Sequence, residues 1–197
     1  MKRLSRKERR TCLVQAAMGV FAQTGFRGAR TRDVARAAGI SEAMLFKHFP
    51  TKRALQKAII EERIRQTGPL LAEPLKDPSP REVLKTLAAR FITRSDQDPT
   101  FMRILYFSAL EGEPLAPMFF RRRVAQNIDK LTELFRSWIR EGKIRSDIDA
   151  CLAAWGFIAT VSQLMVSKHI FGVKRMEDEP GDLAEKLVDL YFRGVRP

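Results

Sequence analysis

Between Thr31 and Phe49 the chain has room for two helices only, both short, and that restriction governs what the rest of it can build. Thr31 is a good N-cap, with Asp33 in the first turn where the helix dipole favours a negative charge. Gly39 supplies a sharp turn, so the helix opened at Thr31 closes by Ala38. Ser41 caps the next helix, again with an acid, Glu42, in its first turn. Pro50 stops that helix, because proline lacks an amide hydrogen and disfavours helical geometry in the residue before it. Val34, Ala38, Ile40 and Leu45 are apolar where the two helices would pack, and Ala35 is small where they would cross. The pattern predicts a helix-turn-helix, a unit whose second helix fits the major groove of duplex DNA. A plain helical hairpin inside a bundle would use the same residues.

Helical periodicity continues on both sides, and no strand pattern competes with it. A first helix is expected from about Arg6 to Thr24, its stripe formed by Leu13, Ala16, Ala17, Val20 and Phe21. Gly25 should end it in a left-handed cap, with Gly25-Phe26-Arg27-Gly28 as the turn that follows. Thr51 caps a fourth helix reaching about Gln66. Pro69, Pro74, Pro78 and Pro80 then break regular structure, which makes 68–80 the expected linker. Five further helices are expected at about Arg81 to Ser95, Pro99 to Glu111, Leu115 to Glu141, Asp147 to Phe171 and Gly181 to Arg193. The fold class is therefore all-α with about nine helices: a helix-turn-helix domain over 1–52, and a helical domain over 53–197 that begins with a connecting helix over 53–66.

Charge divides the chain as sharply as the prolines do. Of a net charge of +13, the first 65 residues supply +11, with 16 Lys and Arg against 5 Asp and Glu. A localised positive field is what a polyanion-binding module needs, since neutralised phosphates release counterions. A solubilising face or a membrane surface would use the same charge. With 45% apolar residues the chain can form a real core. No stretch has the roughly 18 to 20 uninterrupted apolar residues of a membrane span, and the basic start does not look like a signal core, so a cytoplasmic location away from membranes is expected. Cys12 and Cys151 each sit in a helical apolar pattern and are expected to be buried thiols rather than a bridge. With only those two cysteines, His48 and His169, no metal-ligand spacing appears, and no cofactor is implied. A nucleophile elbow, a phosphate loop and a dinucleotide fingerprint are all missing, so no catalytic residues are nominated and an enzyme is not expected.

The run Phe21-Ala22-Gln23-Thr24-Gly25-Phe26, then Thr31 through Ser41, then Leu45-Phe46-Lys47-His48-Phe49 and Lys52-Arg53-Ala54-Leu55 resembles the N-terminal domain of the TetR, or tetracycline-repressor, family over residues 8 to 56. The resemblance implies three DNA-binding helices, a fourth connecting helix and about five ligand-domain helices. It implies a DNA-contacting set of Thr31, Arg32, Ser41, Glu42, Ala43, Met44, Phe46, Lys47, His48 and Lys52. Thr31, His48 and Lys52 would contact phosphate, which positions without reading sequence. Glu42, Ala43, Met44 and Lys47 would face the bases; lysine can donate to guanine O6/N7 and glutamate can accept from cytosine N4. Phe46 stands where the family usually has tyrosine, which removes a hydroxyl from the expected phosphate contacts, and Met44 stands where a small residue is common.

The resemblance extends weakly into the second half, through Arg140 to Arg145 and Asp149 to Ala154. Asp147 to Phe171 is apolar nearly all round and must be covered on every side, by its own core or by a second subunit. The last helix puts Leu183, Leu187, Leu190 and Tyr191 on one stripe. In similar proteins the last two helices pair with their two-fold mates, which implies a homodimer and a palindromic operator in double-stranded DNA. A small-molecule effector would sit among Phe91, Met102, Leu105, Tyr106, Phe107, Met118, Phe119, Phe135 and Trp138, all of which could equally be ordinary core. The function implied is a ligand-responsive DNA-binding transcriptional regulator, a repressor released by its inducer. A helical carrier of lipids or small molecules, or an enzyme with an unfamiliar helical site, are the rival readings.

Overall fold

The computed structural model describes residues 5–67, 79–175 and 178–195. Among them every regular element is a helix: α1 (Arg6–Gly28), α2 (Thr31–Ala37), α3 (Glu42–His48), α4 (Lys52–Thr67), α5 (Pro80–Gln97), α6 (Thr100–Leu110), α7 (Leu115–Phe119), α8 (Ala125–Arg140), α9 (Ala150–His169) and α10 (Pro180–Val195). A π-helical turn, Phe120–Val124, joins α7 to α8 without a break, so that stretch forms the one long helix expected from about Leu115 to Glu141 and nine helical segments result. The expected linker lies outside the described residues up to position 78.

The chain forms two compact units, one drawn from Met1–Gly68 with Thr100–Arg122, the other from Pro69–Pro99 with Arg123–Pro197. In the first, α1 begins with a capping box: the Ser5 hydroxyl accepts from the Glu8 amide at 3.2 Å, and the Ser5 amide donates to the Glu8 carboxylate at 2.7 Å. Leu13, Val14, Ala17, Met18, Phe21 and Ala22 are its buried stripe. Against it lie Leu55, Ile59 and Ile60 of α4, Phe101 and Ile104 of α6 and Leu115 of α7, one continuous core. The Phe101 and Phe119 rings meet edge to face at 4.9 Å.

Gly25 does not simply end α1. Its φ of 69° and ψ of −179° break the helix, which then resumes for a turn to Gly28. A side chain there would collide with the Glu111 carboxylate and come within 3.1 Å of the Phe107 ring, so glycine is required by space as well as by its positive φ.

In the second unit Ser79 caps α5 and Asp149 caps α9, whose Leu152 amide donates to the Asp149 carboxylate at 2.6 Å. The core joins Leu84, Leu87 and Ile92 of α5, Leu131 and Phe135 of α8, Ala154, Phe157 and Met165 of α9 and Ala184 and Val188 of α10. Arg81 donates to Asp189 at 2.9 Å and also pairs with Glu185, which fastens α5 to α10. The Tyr191 hydroxyl donates to the Ala153 carbonyl, and burial pushes its pKa up to about 12. His169 and Lys168 each meet the Asp96 carboxylate at 2.8 Å. The helix α9 is long and apolar enough by composition to cross a membrane, but its Ala154, Phe157, Val161 and Met165 face is buried in this unit.

The expected burial of the two cysteines needs correction. Cys12 and Cys151 are both exposed. On α1, Cys12 falls one position before the buried pair Leu13 and Val14, on the face shared with Gln15 and Gly19. Cys151 shares an uncovered face of α9 with Leu152 and Trp155. On α10, Leu183 of the expected stripe is buried while Leu190 is 77% exposed, and the face buried in this unit runs through Ala184, Val188 and Val195.

Candidate nucleic-acid interface

Helices α2 and α3 owe their arrangement to the turn at Gly39, whose φ of 66° is left-handed. The Ile40 amide donates back to the Ala35 carbonyl at 3.0 Å, which closes the turn. Val34, Ala35, Leu45 and Phe49 are then buried on the α1 and α4 core. The Ser41 hydroxyl accepts from the Met44 amide at 3.2 Å and caps α3. With Leu45 inward, α3 turns Glu42, Ala43, Phe46 and Lys47 outward, and Met44 and His48 are half-buried at its edges. Phe46 is 43% exposed, a large apolar ring between Ala43 and Lys47 on that face.

Thr31 differs from expectation. It is already helical, the cap position belongs to Arg30 with no side-chain cap bond, and the Thr31 hydroxyl donates instead to the Glu42 carboxylate of α3. A charged acceptor outcompetes a local backbone group for a single hydroxyl hydrogen. Arg32 is exposed beside it.

Lys52, at the start of α4, donates to the Ala29 carbonyl at 2.6 Å and stands 4.3 Å from the centre of the Phe26 ring. Burial holds its pKa below the usual lysine value, partly offset by Glu113 and Glu111. His48 is likewise held down, by burial first and then by Arg6, Arg9 and Arg10. Arg10 stacks on the Phe49 ring at 4.4 Å and reaches toward the His48 carbonyl at 3.4 Å. The basic first turns of α1 thus lie beside the end of α3, a neighbour that the run Arg6-Lys7-Glu8-Arg9-Arg10 signals only as charge. What sequence reading missed altogether is Glu111, which holds the resumed end of α1 from 85 residues away.

The expected effector residues fall in both units. Met102, Leu105, Tyr106, Phe107, Met118 and Phe119 belong to the first, where Leu105, Met118 and Phe119 pack on its core and Tyr106 is 40% exposed. Phe91, Phe135 and Trp138 belong to the second, where the Phe135 and Trp138 rings meet edge to face at 5.2 Å in the core. An open groove of about 640 Å³ in the first unit is lined by Arg53, Glu113, Pro114, Pro117 and Phe120 among others, and by none of those candidates. Among the described residues no group of three or more His, Cys, Asp and Glu could hold a metal ion.

An all-helical chain with two short helices set across a glycine turn, the second exposing one face, is a helix-turn-helix protein. Residues 13–59 match the family model for bacterial regulatory proteins of the tetR family. The chain is 30% identical over 150 residues to the nucleoid occlusion factor SlmA of Actinobacillus pleuropneumoniae serotype 5b, an alignment that covers 74% of this chain and 71% of that one. It is 29% identical over 140 residues to the HTH-type transcriptional regulator RutR of Escherichia coli K12, covering 69% of this chain and 64% of RutR's length, just under two thirds. The fold matches that of AibR, solved with isovaleryl coenzyme A and operator DNA, with a TM-score of 0.73 at 19% identity over 93% of this chain and 97% of that one. The chain belongs to the TetR family.

Proposed function

We propose that this protein is a ligand-responsive, DNA-binding transcriptional regulator, a cytoplasmic homodimer that represses from a palindromic operator and is released by a small-molecule inducer. The observation that carries the reading is the outward face of α3, Glu42, Ala43, Phe46 and Lys47, set in the part of the chain that holds +11 of its charge. In this reading Glu42, Ala43, Met44 and Lys47 meet base edges, and Thr31, His48 and Lys52 meet phosphates, with Arg32, Ser41 and Phe46 at the rim. Residues up to 52 do the reading, and the rest holds the ligand and the second subunit.

Support for the dimer comes from a face that its own unit leaves open: Leu152 is 73%, Trp155 41% and Leu190 77% exposed. Apolar groups of that size, gathered at the ends of two neighbouring helices, suit an isologous contact. Support for an effector comes from AibR, whose structure holds an acyl-coenzyme A together with operator DNA. An inducer that prefers a conformation with wrongly spaced recognition helices lowers DNA affinity, and operator lowers inducer affinity by the same factor.

Selection of bound duplexes from a random pool tests the reading. The expected product is a palindrome with half-sites about one helical turn apart, roughly 34 Å. Recovery of no common sequence would count against sequence-specific regulation.

A further inference from the structure

We propose that Glu42 sets the selectivity of this protein among duplexes: in the free chain its carboxylate withholds the Thr31 hydroxyl from backbone phosphate, and only a donor on a base edge draws it away. The inference rests on the DNA-binding reading above and assigns a job to one contact within it.

Thr31 opens α2 and Glu42 opens α3, 11 residues apart, and the Gly39 turn brings the two side chains into a hydrogen bond. A threonine hydroxyl has one hydrogen to give. While the carboxylate holds it, no phosphate can receive it. Both groups lie toward solvent, so the bond is not a fixed part of the core. Among the described residues no Lys, Arg or His forms an ion pair with Glu42, and the one arginine pair recorded in α2 is between Arg36 and Asp33.

On an arbitrary duplex, therefore, Glu42 acts twice against binding. Its charge faces incoming phosphates of the same sign, and it keeps the Thr31 donor occupied. On a duplex that offers a cytosine N4 amine at this place, the carboxylate gains a donor of its own and Thr31 is released to the backbone. The same residue thus penalises mismatched sites and is satisfied at matched ones, and selectivity arises from the difference between the two.

The test is a double-mutant cycle with the full chain: wild type, Glu42→Ala, Thr31→Val and the pair. Each is titrated against a duplex selected from a random pool and against a scrambled duplex of equal length. Glu42→Ala should raise affinity for the scrambled duplex about tenfold and change the selected one less, so that the ratio falls. In the Thr31→Val background the same substitution should gain distinctly less, because no hydroxyl is left to release. An unchanged ratio, or an equal gain in both backgrounds, would overturn the proposal, the second by reducing Glu42 to a bare charge. A wild type that binds neither duplex at low salt would instead overturn the DNA-binding reading on which it rests. Circular dichroism of each variant checks that the helices are intact.

Discussion

The Glu111 carboxylate accepts from the main-chain amides of Phe26 at 2.8 Å and Arg27 at 3.1 Å, and the Arg27 guanidinium returns a bond to the Glu111 carbonyl at 2.8 Å. These amides open the short helical turn that follows Gly25, and no residue nearby in sequence caps them. Glu111 therefore holds the end of α1 from which the chain enters α2. Glu111→Ala should lower the stability of the protein by about 1 to 2 kcal/mol, the range for partly buried donors left without a partner. Gly25→Ala should also destabilise, since it forces a side chain into that carboxylate at a positive φ. Urea unfolding reads both effects; an unchanged midpoint for either variant would remove Glu111 from this role.

The contrast between Glu111 and Gly39 shows what a sequence discloses. Gly39, Ser41, Thr51 and Pro50 act on their immediate neighbours, so the helix-turn-helix and the nine helical segments could be read from spacing alone. Glu111 and the bond from Lys52 to Ala29 join residues far apart, and nothing local marks them. The cysteines failed for another reason: an apolar residue in a helical pattern does not say which side of its helix is covered. The effector candidates share that limit. Phe135 and Trp138 are buried in the core of the second unit, and an apolar side chain carries no local signal that distinguishes lining from packing.

Lys52 and Lys47 should separate by how their loss is felt. Lys52→Ala is expected to weaken binding to all duplexes alike and to reduce the salt slope by about 1 per protomer. It should also lower the melting temperature slightly, since the bond to the Ala29 carbonyl is lost. Lys47→Ala should shift preference among sites while leaving stability unchanged, because its side chain is exposed. Anisotropy titrations on a panel of duplexes compare the two, and the reverse pattern would exchange their roles.

His48 gives a pH dependence whose sign can be worked out. Its folded pKa lies below the unfolded value of about 6.5, so its contribution to stability is present above that pH and is lost as pH falls through it toward the folded value. A phosphate beside the ring would act in the other direction and raise the pKa in the complex. Binding then takes up a proton, and DNA affinity should rise as pH is lowered from about 7.5 to about 6. His48→Gln should flatten that rise. A wild type with no pH dependence over this range would place the ring away from phosphate.

The open apolar face makes a separate prediction. Leu190→Glu combined with Leu152→Asp, both at strongly exposed positions, should leave the helices intact and convert the protein to a monomer. Light scattering after size exclusion gives the mass directly. Operator affinity should fall by more than tenfold, because one reader then binds where two did. A dimer that persists in this variant would move the subunit contact to another surface.

The most direct test of the whole account is the affinity of the purified protein for a selected duplex as salt is raised from 50 to 200 mM. Two copies of Lys52 at phosphates give about two ionic contacts, a slope near −1.8 on logarithmic axes and a loss of about tenfold. That decline, with tight binding at the low end, is the expected result. Affinity indifferent to salt, or no binding to duplex DNA at 50 mM, would contradict it.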